Sequence, residues 1–178
     1  MPETLLSLSG TGIPPWSARG ARQTIAPDVD ASMERDVNGN LQAIPLPAAF
    51  HKYRITISCS DLGPPAFGSL KRGDSITVSC ITELGQKITL VAGVGSATFL
   101  RDAVAGSGRA VAATGAQAVA TLSGTGNRAA AVNFGNALLA GDAFIYYRPV
   151  LSCRVEAFNC DKDEYGAITS WSLELREV

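Results

Sequence analysis

The chain has 178 residues, of which 46% are hydrophobic, only 7% aromatic and 17% charged; 15 basic and 16 acidic side chains leave a net charge of −1. That length fits one domain, or one domain carrying a long insertion. A near-neutral chain with no lysine or arginine cluster does not fit a protein that reads nucleic-acid sequence. A charged fraction below the roughly 25% usual in soluble proteins suits faces covered by neighbours better than a free monomer.

The N-terminus, Met1-Pro-Glu-Thr-Leu-Leu-Ser7, has neither the basic nor the apolar region of a leader. Leu5 to Leu8 fits a short strand. Gly10-Thr-Gly-Ile-Pro-Pro-Trp-Ser-Ala-Arg-Gly20 follows, and its glycines and paired prolines exclude helix and central strand alike. Residues 1–31 therefore read as an extended arm. Trp16 either docks on another surface or folds back onto its own core. Residues 32–44 centre on Asn38-Gly39, the preferred pair for a type I′ hairpin turn, and Pro45 and Pro47 close the unit.

Clear strands come next. In Tyr53-Arg-Ile-Thr-Ile-Ser-Cys59, Tyr53, Ile55, Ile57 and Cys59 alternate with polar residues, the pattern of a half-buried strand. Ser75–Thr82 places Ile76, Val78 and Cys80 on one face, and Gln86–Ala92 is a third strand. The C-terminal part repeats the pattern. Phe144–Phe158 is one long strand or two joined at Pro149, with Leu151, Cys153, Val155 and Ala157 on one face. Residues 161–166 form a polar turn, and Trp171, Leu173 and Leu175 alternate along the last strand. An all-β antiparallel sandwich or barrel is expected, with residues 32–92 and 143–178 forming a single domain.

Residues 93–142 stand apart as an Ala/Gly-rich insertion. Beyond Phe99, Leu100, Leu122, Phe134, Leu138 and Leu139 it has few large apolar side chains. Alanine burial offsets little backbone entropy, so the insertion is expected to be a flexible loop, or an excursion ordered by neighbouring subunits. Its glycines and arginines exclude a transmembrane helix, and no stable membrane insertion is expected.

The chemistry-bearing residues form no recognisable constellation. No phosphate-binding loop and no Gly-x-Ser-x-Gly elbow occurs. The single His51 has no evident partner for a nucleophilic triad. Asp161, Asp163 and Glu164 lack the ligand spacing of a calcium loop. In a reducing cytoplasm Cys59, Cys80, Cys153 and Cys160 are expected as buried thiols, without the paired spacing of a zinc site. A non-enzymatic protein with no metal and no cofactor is the reading.

Two stretches, Gly10 to Gly20 and Cys160 to Val178, together with Arg35-Asp-Val-Asn-Gly39 and Lys52-Tyr-Arg-Ile-Thr-Ile-Ser58, resemble small virion proteins of tailed bacteriophages. The resemblance spans most of the chain outside the Ala/Gly-rich middle and carries no catalytic residues. It implies a structural subunit of the virion, assembled in the host cytoplasm. A tail, tail-tube or baseplate ring component is expected, in contact with copies of itself and with other virion proteins through sheet edges and the arm. A capsid decoration (cement) protein is the alternative within that class. A carbohydrate- or receptor-binding module, using Trp16, Tyr146, Tyr147 or Trp171, is the alternative from another class. Ile13, Pro14, Pro15, Trp16, Arg19, Phe99, Leu100 and Phe134 are the expected assembly contacts.

Overall fold

The computed structural model describes residues 4–28, 32–44, 47 and 50–178. Over these residues the protein is all-β, its curled antiparallel sheets forming a half-barrel and a nearly closed barrel. In chain order the strands are β1 (Ser7–Leu8), β2 (Arg22–Pro27), β3 (Ser32–Arg35), β4 (Leu41–Ile44), β5 (Tyr53–Asp61), β6 (Ser75–Ser79) and β7 (Leu84–Leu90). They continue as β8 (Val94–Thr98), β9 (Asp102–Ala103), β10 (Arg109–Ala112), β11 (Gln117–Ser123), β12 (Ala129–Asn133), β13 (Gly141–Tyr147), β14 (Pro149–Lys162) and β15 (Thr169–Glu177). Two compact units result, one built from Ser9–Ile76 and Ser152–Val178, the other from Leu5–Leu8 and Thr77–Leu151. The boundaries fall within β6 and β14.

In the first unit β14, β15, β5 and β2 lie side by side, all antiparallel. The alternation read from the sequence holds: Ile55, Ile57 and Cys59 on β5, and Trp171, Leu173 and Leu175 on β15, are buried, with polar residues between them facing out. Phe67, from the loop after β5, meets the Trp171 ring edge-on at 5.6 Å. Strand β14 departs from the expected pattern. Its register with β15 shifts between Val155 and Ala157, so Glu156 is an extra residue and the parity of the strand inverts. Ala157, expected to face inward, is exposed, and Phe158 takes the place opposite buried Leu173. The displaced Glu156 carboxylate accepts a hydrogen bond from Arg176 Nε at 2.9 Å, and that bond holds its pKa below the usual glutamate value.

The β3–β4 hairpin forms with Arg35 opposite Leu41, but its turn is not type I′. That turn needs positive φ at both central residues, and only Gly39 has it, at 82°. Asp36 N donates to Asn40 O, and the Asp36 carboxylate accepts from the backbone N–H groups of Asn38 and Asn40 at 2.8 and 2.9 Å. The carboxylate thereby sets a three-residue loop. Pro45, expected to close this unit, lies outside the described residues.

The second unit overturns the reading of residues 93–142 as an insertion unable to form a core. Five strands, β8 to β12, come from that stretch. With β7 and β13, strands β8, β10, β11 and β12 make a six-stranded sheet in the order β7-β13-β10-β11-β12-β8. Its two outer strands are themselves joined through a bridge between Val91 and Val94, so the sheet nearly closes into a barrel. A six-stranded barrel is narrow. Small side chains are enough to fill it, and Ala110, Ala112, Ala120, Ala130 and Ala143 are buried there with Ile88, Leu90, Val132 and Ile145. Gly95 serves the same end, because a Cβ at that position would sit 2.6 Å from the Ile88 side chain. The domain boundaries expected from the sequence move accordingly. Strand β7 and residues 143–151 belong with 93–142, not with the C-terminal strands.

Candidate assembly surfaces

The segment from Gly10 to Gly20 is pinned to the first unit and is not a free arm. Ala66 N donates to Gly12 O at 3.0 Å, Gly63 N to Trp16 O at 3.3 Å, and Ser17 Oγ to Pro14 O at 2.6 Å. The indole Nε1–H of buried Trp171 donates to Ser17 O at 2.7 Å. Within the segment, Ser17 and Ala18 are buried. Trp16 itself is 54% exposed and its backbone is left-handed, with φ at 61°. For a bulky non-glycine residue that conformation costs about 1–2 kcal/mol, and it persists because the bonds on either side fix the chain.

The expected contact residues divide. Pro14 and Pro15 are exposed beside Trp16, and Ile13 is half-buried. Arg19 is engaged internally: its Nη2 donates to Asp61 Oδ1 at 2.7 Å and its backbone N–H to Oδ2 at 2.9 Å. Two exposed apolar residues that sequence reading missed, Leu62 and Ile168, lie next to the paired strand ends Asp61 and Thr169. Gly63, bonded to the Trp16 carbonyl, follows Leu62 directly. Only the pairing of β5 with β15 brings these distant positions together, so no local signal announces them.

Phe99 and Phe134 are corrected. Phe99 is 3% exposed and stacks on Tyr147 with ring centroids 3.7 Å apart, while Phe134 is partly buried against the same core. Both side chains fill the barrel. Leu100, the neighbour of Phe99, does face solvent at 84% exposure.

The Arg19 guanidinium, with two backbone donors, holds the carboxyl of buried Asp61 at about 2, against an ordinary 3.8. A lowered folded-state value means that this contact stabilises fully above the unfolded value and loses its effect as pH falls through about 2. Asp61→Asn is therefore expected to lower the melting temperature by roughly 5 °C at neutral pH. Its difference from the natural chain should shrink between about pH 4 and pH 2. Calorimetry across that range checks it, and a difference independent of pH would assign the loss to packing.

Other candidate chemistry is sparse. Among the described residues no group of three or more His, Cys, Asp or Glu side chains is placed to hold a metal ion, and no helix is long and apolar enough to cross a membrane. Cys59, Cys80 and Cys153 are buried thiols as expected, but Cys160, opposite Trp171 near the end of β14, is exposed. An open groove of about 360 Å³ is lined by Gly20, Arg22, Ser58, Ser60 and Ser170, where the hydroxyls of Ser60 and Ser170 bond to each other at 2.9 Å. Of the four aromatics considered for sugar binding, Trp171 and Tyr147 are buried and Tyr146 is capped by the Arg109 guanidinium 4.4 Å from its ring centre. Trp16 is the exposed one. No protein-family model matches the chain, and neither does a curated protein or a solved structure.

Proposed function

We propose that this chain is a non-enzymatic structural subunit of a tailed-bacteriophage virion, a component of the tail or baseplate that assembles with copies of itself and with other virion proteins. The observation that carries the reading is the mounting of Trp16: a large aromatic side chain held outward on a left-handed backbone, fixed by hydrogen bonds to residues distant in sequence. Exposed aromatics on preformed supports are the residues that dominate protein interfaces, and a rigid mount lowers the ordering cost of docking. The sequence resemblance to small phage virion proteins supplies the setting.

Trp16→Gly tests the reading, since glycine relieves the left-handed strain. The variant is expected to melt within a few degrees of the natural protein and to be lost from purified particles, measured by quantitative mass spectrometry. Full incorporation of the variant would remove the Trp16 surface from assembly. Immunogold labelling of intact particles then locates the subunit, with label on the tail expected. Label on the head would move the protein to capsid decoration.

A further inference from the structure

The β3–β4 hairpin is a two-stranded sheet of its own, joined to neither larger sheet. An isolated pair of strands is marginally stable in water, so this hairpin opens at a lower cost than the rest of its unit. Its loop carries the one Asn-Gly pair of the chain, Asn38-Gly39, and the other five asparagines all precede residues with a side chain. Asn38 and Gly39 are both exposed. The glycine matters because no Cβ shields its amide nitrogen from the asparagine side chain.

In the closed hairpin that nitrogen is occupied. The Gly39 N–H donates to Asp36 O at 2.9 Å, and Arg35 Nη1 donates to Gly39 O at 2.7 Å. The Asp36 carboxylate accepts from Asn38 N at 2.8 Å and from Asn40 N at 2.9 Å. Asp36 therefore holds the proton of the Asn38–Gly39 peptide bond with its carbonyl, and the residues on either side with its carboxylate.

We propose that Asn38 is a latent deamidation site, latched by Asp36 for as long as the hairpin stays closed. When the hairpin opens, the Gly39 nitrogen attacks the side-chain carbonyl carbon of Asn38. A new C–N bond closes a succinimide ring, the bond to the side-chain amide nitrogen breaks, and that nitrogen leaves as ammonia with the proton given up by Gly39. Water then opens the ring. Attack at the side-chain carbonyl gives aspartate, and attack at the backbone carbonyl gives isoaspartate, in which the chain runs through the former side chain. Isoaspartate adds a methylene to the backbone between the two N–H groups that share the Asp36 carboxylate, so the three-residue loop no longer fits them. It also places a second carboxylate beside the first, and like charges repel. The modification thus converts the closed hairpin to an open one in a single direction.

Isoaspartate at position 38 is measured in mildly alkaline buffer by peptide mapping with mass spectrometry and by labelling with an isoaspartyl methyltransferase. In the folded full chain it is expected to form at least about tenfold more slowly than in the urea-unfolded chain, the factor carried by one charge-assisted hydrogen bond that must first break. Asp36→Ala is expected to recover most of that difference in the folded state and to leave the unfolded rate unchanged. In modified protein separated by ion exchange, hydrogen exchange over residues 36–42 is expected to rise while β5 and β15 stay protected. The proposal is overturned if the unfolded chain forms no isoaspartate at position 38, if folding gives no protection, if folded Asp36→Ala is as protected as the natural chain, or if the modified hairpin exchanges like the unmodified one. None of these outcomes depends on the virion reading.

Discussion

Replacing Trp171 with alanine is expected to destabilise the first unit by about 3–5 kcal/mol, the usual cost of emptying a buried aromatic site. Three losses combine. The ring leaves a cavity beside Leu173 and the buried face of β5, it abandons its edge-on contact with Phe67, and it withdraws the indole N–H from the carbonyl of Ser17. Trp171→Phe separates the last term, since phenylalanine keeps most of the apolar volume but cannot donate. About 1–3 kcal/mol is expected from the buried carbonyl left unsatisfied. Denaturant unfolding followed by far-ultraviolet circular dichroism gives both values. Hydrogen exchange gives the more telling readout, because Ser17 directly follows Trp16. In Trp171→Phe the backbone around residues 12–19 should exchange faster, while β15 and β5 stay protected. If those residues exchange as in the natural protein, the indole bond is not what mounts Trp16.

How much of this was legible in the sequence depends on the length scale of the cause. Strands β5, β6 and β15 were readable because a half-buried strand writes a period of two into its own residues, and Ile55, Ile57, Leu173 and Leu175 keep it without interruption. The parity change in β14 was hidden, because a bulge depends on the partner strand as much as on its own residues. The hairpin turn failed for a local reason: Asn38-Gly39 has the composition of one turn type, but the nearby Asp36 carboxylate offers two hydrogen bonds that favour another.

Alanine is the residue whose role the sequence pattern conceals most. Residues 93–142 lack the bulky side chains that fill an ordinary sandwich, and the sequence pattern gives no measure of how far apart facing walls will be. In a barrel of six strands the walls are close, and Ala110 and Ala143, paired neighbours being Ala110 with Ile145 and Ala112 with Ala143, are fully buried. The same small residues that argued against a core are what a narrow core requires. The Pro-Pro setting of Trp16 left open whether its side chain is exposed or buried in its own core, and it is 54% exposed. Leu62 and Ile168 were invisible, because they come to neighbouring strand ends only after β5 and β15 have paired.

Phe99→Ala discriminates between the two accounts of the Ala/Gly-rich region. If the region were an excursion ordered by neighbouring subunits, with Phe99 as a contact, the isolated protein would melt as before and only assembly would suffer. The barrel core gives the opposite expectation. Phe99 is buried and stacked on Tyr147, which closes β13 opposite Leu84, and its removal should cost about 3–5 kcal/mol. The loss should be steep because much of the barrel core is alanine, which has no flexible length with which to reach into the cavity. Leu100→Ala, one residue away but exposed, should change stability by less than about 0.5 kcal/mol. Paired denaturant titrations of the two variants decide the matter. A large loss for Phe99 with none for Leu100 is the signature of a core that the region builds for itself, whereas two equally stable variants with impaired assembly would return the segment to the status of an insertion.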